Sequence, residues 1–541
     1  MERTFQFAAM ERPISETAVR ISFINRKVLW VVLGFAWLSP INADDTYEKL
    51  QSGPMIGYAT MAEVLIWVQT TGPAEVEIQY WHKGDPAKRW STKAIQTEKE
   101  TAFVAKCLAD QVSSDASYDY EVRIDGEKVT PRFREGFRDG GPIPLEFSTP
   151  KNWRFREEGH RVFDFSIGFG SCAYINQKGG YDRLGGSPYG GEYEIFESIY
   201  EKDPDLFIWL GDNIYLREPD WTSWTGLLHR WTHARSLPHM RGLLASRPNY
   251  AIWDDHDYGP NNAGWDFWNK EKATAAFTLF FGNPSAGLPE TPGIFTFFNY
   301  GDANFYLMDN RTYKDGPEHL KPFDREKDLL GKEQLDWLIS SLKYRQGQST
   351  DGFAPSYPAN FNIICIGNPV LGPPRTEDSY PMFDQEWQYL IDRIVEEGID
   401  GVIFLSGDVH YSEVNVLELV GGGEPGKPGK AGLAGELYRF VEFTASPLTS
   451  GTFYGPDKTE TRLDIFPGKM DHVKKRNFAT LSFEGPIDDR QMTIRYFDTK
   501  GVLLNQKADD EVGTVTDASI ISANWLKAPQ HRKSLEQGVT P

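Results

Sequence analysis

Phe207-Ile208-Trp209-Leu210-Gly211-Asp212-Asn213-Ile214-Tyr215 opens as an unbroken apolar run and ends, after a glycine, in a carboxylate and a phenol. An apolar run this short, closed by a turn residue, reads as a buried strand. Glycine permits the tight turn that follows, and Asp212 and Tyr215, three residues apart on that turn, can both reach one cation. The pattern recurs along the chain. Tyr250-Ala251-Ile252-Trp253 runs into Asp254-Asp255-His256-Asp257, and Ile403-Phe404-Leu405-Ser406-Gly407 runs into Asp408-Val409-His410. Three strands therefore deliver hard ligands at their carboxyl ends, where open α/β sheets collect their ligands.

Around these runs the sequence is mixed. Strands are predicted at 162–167, 205–210, 250–253, 305–308, 361–366 and 401–405, with helices at 193–200, 330–342 and 387–397 between them. That alternation indicates a layered α/β domain over 151–506. From 44 to 150 the signals are all β: 64–68 is apolar, 76–80 and 118–124 alternate with period two, and Asp125-Gly126 is a hairpin turn signal. Short strands over about 100 residues suggest a two-sheet sandwich of immunoglobulin or fibronectin type. Residues 421–432, rich in Gly and Pro, read as a surface loop, and beyond 507 periodicity fades into an expected loosely packed tail.

Arg26-Lys27 precede an apolar stretch at 28–38 and then Ser39-Pro40-Ile41-Asn42-Ala43. This is the anatomy of a signal peptide, 1–43 with an extended polar leader, cut after Ala43. The apolar stretch falls short of the roughly 20 residues a membrane span needs. An exported protein, periplasmic or secreted, is expected, with no stable span after cleavage. The net charge of −20 argues against a basic nucleic-acid-binding surface. Three cysteines rule out a disulfide scaffold. Cys107 and Cys365 sit inside apolar runs as small buried hydrophobes, whereas Cys172 follows Gly170-Ser171 at a strand end and can supply a thiolate.

Asp is a hard oxygen ligand able to bridge two ions, and a tyrosinate favours a trivalent ion such as iron(III). Three carboxylates around His256 would repel one another without a cation. The neighbouring Trp253, Tyr258, Trp265 and Trp268 point to partial burial of that turn. Asp408 and His410, at i and i+2, point the same way on an extended segment. Asn261 and Asn262 can add neutral oxygens. Arg311, after Asp309, can clamp phosphate through its planar fork, with an Arg–Asp structural pair as the alternative.

Gly170-Ser171-Cys172, Gly211-Asp212-Asn213-Ile214-Tyr215, Trp253-Asp254-Asp255-His256-Asp257, Leu307-Met308-Asp309-Asn310-Arg311-Thr312-Tyr313, Leu330-Gly331-x-x-Gln334-x-x-Trp337-Leu338 and Ser406-Gly407-Asp408-Val409-His410 occur in this order between residues 160 and 500. The set resembles the alkaline phosphatase D (PhoD-like) metallophosphatases, which are related to the purple acid and calcineurin-like phosphoesterases. The resemblance implies an αββα metallophosphatase-like sandwich with iron(III) and calcium or another divalent ion. It implies Cys172, Asp212, Tyr215, Asp255, Asp408 and His410 as ligands, Asn261 or Asn262 as a further one, and His256 as a non-ligand histidine beside the scissile phosphate. The sequence departs from the family in lacking twin arginines in its leader and in placing Pro260 before the asparagine pair.

The expected chemistry is hydrolysis of a small phosphate ester by metal-activated water, a phosphomonoesterase of alkaline phosphatase type. Trp221-Thr222-Ser223-Trp224 and Trp231 could form an aromatic wall, which keeps phosphodiesterase or phospholipase activity as the alternative. A surface-binding protein with structural metals is the rival of another class, and His256, which is not needed merely to hold ions, speaks against it.

Overall fold

The computed structural model describes residues 47–151, 162–177, 188–316, 326–345, 359–374, 379–420, 437–455, 461–463, 466, 471–505, 520–529 and 531–532. The signal-like segment, the loop at 421–432 and most of the stretch beyond 507 lie outside the described residues.

The amino-terminal β-strands form two sheets. Leu50–Ala59, Val64–Thr70 and Val104–Ala109 make one; Glu75–His82 and Ser117–Ile124, with shorter strands, make the other. Side chains alternate along Glu75–His82, so that Val76, Ile78 and Tyr80 are buried against Ile66, Val68 and Val122. Ile124 pairs with Glu127 across Asp125-Gly126, the hairpin that the sequence announces.

Met55, Trp67 and Val104 turn away from this sandwich and join the main core of the following domain. The Trp67 indole N–H donates to the Leu279 carbonyl at 2.9 Å, and the Tyr120 hydroxyl to that of Ala245 at 2.8 Å. Buried polar groups are thus satisfied across the junction.

The α/β domain has two facing sheets. In the first the order is Asn249–Ile252, Leu206–Leu210, Phe165–Gly170, Asn477–Glu484, Gln491–Asp498, Ile520–Ser522, with the first three parallel. In the second, Ala303–Leu307, Phe361–Cys365, Val402–Ser406 and Leu437–Thr444 run parallel at the centre. Each parallel strand of these two sets is buried nearly throughout, because both of its faces are covered. Ile167, Ile208 and Leu481 of one sheet share a core cluster with Ile363, Leu405 and Val441 of the other. On its outer face the second sheet packs Tyr306, Ile364 and Phe404 with Leu338 and Leu390 of helices Lys332–Arg345 and Asp384–Glu396. Helices Ile195–Lys202, Trp224–Arg235 and Lys270–Phe280 contribute to the cluster of the first. The layers are therefore α, β, β, α.

One expectation is corrected. Ile520–Ser522 adds an antiparallel edge strand to Gln491–Asp498, and Leu526 and Ala528 are buried. Three residues of strand are too short to show a period, so this part of the end reads as a tail in sequence but packs in the fold. Among the described residues no helix is long and apolar enough to cross a membrane.

Candidate metal centre

Strands Phe165–Gly170, Leu206–Leu210, Asn249–Ile252 and Val402–Ser406 all end at one cleft, and each is followed at once by a candidate ligand. The turns are made by close approach. Gly211 has φ 94°, and a Cβ there would lie 2.7 Å from that of Asp254; a Cβ on Gly407 would lie 2.5 Å from that of Ser171. Larger residues would push the loops apart. Cys172, Asp212, Asn262, Asp408 and His410 adopt left-handed backbone, with φ between 52° and 66°. Non-glycine residues rarely do so, and such residues cluster at functional sites.

Two groups of donor atoms result. One atom each of Cys172, Asp212 and His410 lie within 4.8 Å of one another, and so do atoms of Asp212, Asp255 and His256. Asp212 belongs to both. Tyr215 joins the first group, its hydroxyl 3.2 Å from His410 Nε2. The His410 Nδ1 lies 2.6 Å from the Gly451 carbonyl, which can only accept. Nδ1 therefore carries the proton and Nε2 is left as the donor atom for an ion. Cys172 Sγ receives hydrogen bonds from the Ser446 and Ser171 hydroxyls at 3.3 and 3.5 Å.

Burial pushes the Cys172 thiol, the Asp212 carboxyl and the Tyr215 phenol well above their ordinary pKa values. The neighbouring carboxylates Asp255, Asp254, Asp257 and Asp408 add to the effect on Asp212. Asp255 differs: burial opposes its charge, but His256, Arg311 and the Asn262 N–H together hold it below the usual carboxylate range. A thiol, a phenol, an imidazole and converging carboxyl groups, desolvated and mutually repelling, form a donor set that a cation would stabilise.

The acidic turn divides its labour. Asp255 faces the cleft, its Oδ2 accepting from the Asn262 N–H at 2.7 Å. Asp257 braces the first loop, accepting from the Ile214 N–H at 3.0 Å and from Asn213 Nδ2 at 3.1 Å. Asp254 is buried and accepts from Asn310 at 2.8 Å and from Arg311 Nε at 2.6 Å. The expected phosphate clamp at Arg311 is corrected accordingly. Its side chain is 0% exposed, pairs with Asp254 and does not line the cleft. The structural Arg–Asp alternative holds, with Asp254 rather than Asp309 as partner.

His256 is half-buried at the cleft, its backbone N–H donating to Asp212 Oδ1 at 3.2 Å and its ring 4.4 Å from that of Tyr215. Asn261 and Asn262 both line the cleft. Asn261 is exposed and donates to Asn262 Oδ1, while Asn262 is tied to Asp255. Asp408 lines it too, and its carbonyl contacts Cys172 Sγ at 3.6 Å.

The cleft holds about 630 Å³, and Trp221, Phe453 and Tyr454 stand at its walls. Of the expected aromatic wall only Trp221 is there: Trp231 is core, and the Trp224 indole donates to the Glu100 carbonyl. Trp253 and Tyr258 are fully buried beside the turn, but Trp265 and Trp268, expected to help bury it, are 51% and 69% exposed and do not shield it. Tyr189, whose hydroxyl is 3.2 Å from His410 Nδ1, as well as Ser446, Ser450 and Arg217, escaped the sequence reading, because none lies within the motifs singled out there.

The family model described as PhoD-like phosphatase matches residues 168–490. A second, described as a domain of unknown function (DUF7800), matches residues 47–140. Alkaline phosphatase D of Bacillus subtilis (strain 168) is 26% identical over 264 residues, 41% of this chain and 44% of that protein. The match thus spans less than half of the curated relative. The solved structure of PhoD superposes with a TM-score of 0.60 at 17% identity, over 85% of this chain and 88% of that one. Purple acid phosphatase PPD1 from yellow lupin (Lupinus luteus) seeds does so with 0.54 at 11% identity, over 86% and 77%. At these identities the structural likeness establishes the fold.

Proposed function

The chain belongs to the PhoD-like phosphatase family, and from that premise we propose that it is a metal-dependent phosphoesterase acting on small phosphate monoesters. The observation that carries the reading is Asp212, one carboxylate common to two adjacent donor groups at the end of four strands. Cys172, Tyr215, Asp212 and His410 would hold iron(III). Asp212, Asp255, Asp408 and an asparagine carbonyl, oxygen donors only, suit calcium or another divalent ion. Bound there, the ions supply charge to a phosphoryl group and acidify water.

The chain's own residues do the rest. Asp212 belongs to both donor groups and would offset repulsion between cations held in them. His256 packs its ring, tilted, against that of Tyr215 and is tethered through its backbone to Asp212, so its imidazole is positioned at the cleft. An imidazole placed there can protonate a leaving alkoxide. The exposed Phe453 and Tyr454 also favour a second reading, a diester or lipid-bearing substrate. Export, with cleavage after Ala43, rests on the sequence of residues 26–43.

Elemental analysis of the purified protein, combined with a screen of aryl phosphate against bis-aryl phosphate, tests the proposal. Iron with a divalent metal and preferential monoester turnover are expected. His256→Ala should keep the metals and lower kcat by about 10²–10⁴-fold. Metal-free protein with undiminished hydrolysis would refute the metal reading, and preferential bis-aryl turnover would move the substrate to the diester class.

A further inference from the structure

With Arg311 buried, the cleft's charge rests elsewhere. Among the described lining residues Asp212, Glu218, Asp255 and Asp408 are acidic, and Arg217 is the single arginine or lysine. Its backbone is anchored on both sides. The Leu216 N–H donates to the His256 carbonyl at 3.0 Å, and the Arg217 N–H donates to Asp220 Oδ2 at 2.9 Å. Asp220, which accepts that N–H, is taken by Arg230 in a buried pair at 2.9 Å, and the adjacent Glu218 makes no ion pair with Arg217 among the described residues. The Arg217 guanidinium instead lies over two rings of the metal centre, 5.0 Å from that of Tyr174 and 5.5 Å from that of Tyr215. Those rings limit its rotation. Its Nε is shielded from solvent and has no hydrogen-bond partner among the described residues. A buried donor without an acceptor is costly and calls for a ligand.

We propose that Arg217 is the phosphate-binding cation of this cleft, gripping non-bridging oxygens of a dianionic phosphate group and so favouring monoesters over diesters. This rests on the phosphoesterase reading for its substrate, though phosphate binding can be measured without turnover. A planar guanidinium matches two phosphate oxygens at once, and its attraction to a dianion exceeds that to a singly charged diester.

The test uses the full metal-loaded chain, with Arg217→Gln and Arg217→Lys beside it. Inorganic phosphate is titrated by calorimetry, and KM and kcat are measured for aryl and bis-aryl phosphate. Arg217→Gln should weaken phosphate binding about tenfold or more, as loss of a charge-assisted hydrogen bond does. Monoester KM should rise with it, the diester should suffer less, and Arg217→Lys should recover part of the loss. Metal content should not change. Phosphate affinity equal to wild type in Arg217→Gln would overturn the assignment, as would equal losses in kcat for both esters, or metal loss in either variant. Wild-type protein that binds phosphate through Arg217 but turns over neither ester would sink the phosphoesterase reading and leave this assignment standing.

Discussion

Cys172, Asp212, Asp408 and His410 hold their left-handed backbone at a cost of the order of 1–3 kcal/mol each, maintained by the strands on which they stand. Atoms of Cys172, Asp212 and His410 converge within 4.8 Å of one another, a donor set that a cation would stabilise. Asp212→Asn should lose metal along with activity, because a neutral amide cannot offset two cations; metal analysis showing wild-type occupancy would contradict the shared carboxylate. Tyr215→Phe removes only an oxygen from a buried ring. If Tyr215 binds iron(III), the native protein should absorb in the visible, and this variant should lose the band while unfolding near the wild-type temperature. Arg311→Met, in contrast, leaves Asp254 as an uncompensated buried charge and should cost about 3–5 kcal/mol in denaturant unfolding. The identities of these residues are legible in sequence; which of Asp254, Asp255 and Asp257 faces the cleft is not, since all three follow one strand and only the neighbours they meet tell them apart.

Helix Asp384–Glu396 shows the same limit at the level of an element. Its periodic apolar face, Leu390, Ile391 and Ile394, announces a helix against a sheet. Glu386 looks like an ordinary first-turn acid, yet it is buried, and it accepts from the N–H groups of Leu329 and Leu330 at 2.7 and 2.8 Å and from the Tyr380 hydroxyl at 2.9 Å. It thereby fastens the helix to the segment before Lys332–Arg345. Burial raises its pKa from 4.5 to about 7, against the pull of those hydrogen bonds. The protonated form is thus favoured by folding. Its contribution is fully present below pH 4.5 and lost as pH rises through about 7, on the order of 3 kcal/mol. Unfolding midpoints recorded between pH 5 and 8 should fall more steeply for wild type than for Glu386→Gln; parallel curves would show that Glu386 does not titrate in that window.

Across the whole molecule the sandwich and the α/β domain share core residues, so they are expected to unfold together. Trp67→Ala should cost about 3–5 kcal/mol and lower a single calorimetric transition rather than release the sandwich as a separate early one. Period-two alternation, short apolar runs and helical faces are local properties, and the sequence by itself therefore determined the two-part architecture, the parallel strands and the residues presented at their ends. The docking of the sandwich through Trp67, the pairing of Arg311 with Asp254, the burial that sets the state of Cys172 and Glu386, and the cleft position of Arg217 were decided by tertiary structure alone. Ser446 and Cys172 meet across 274 residues of chain, and desolvation and Coulombic attraction depend on what the packed chain brings within a few ångströms, which no local pattern encodes.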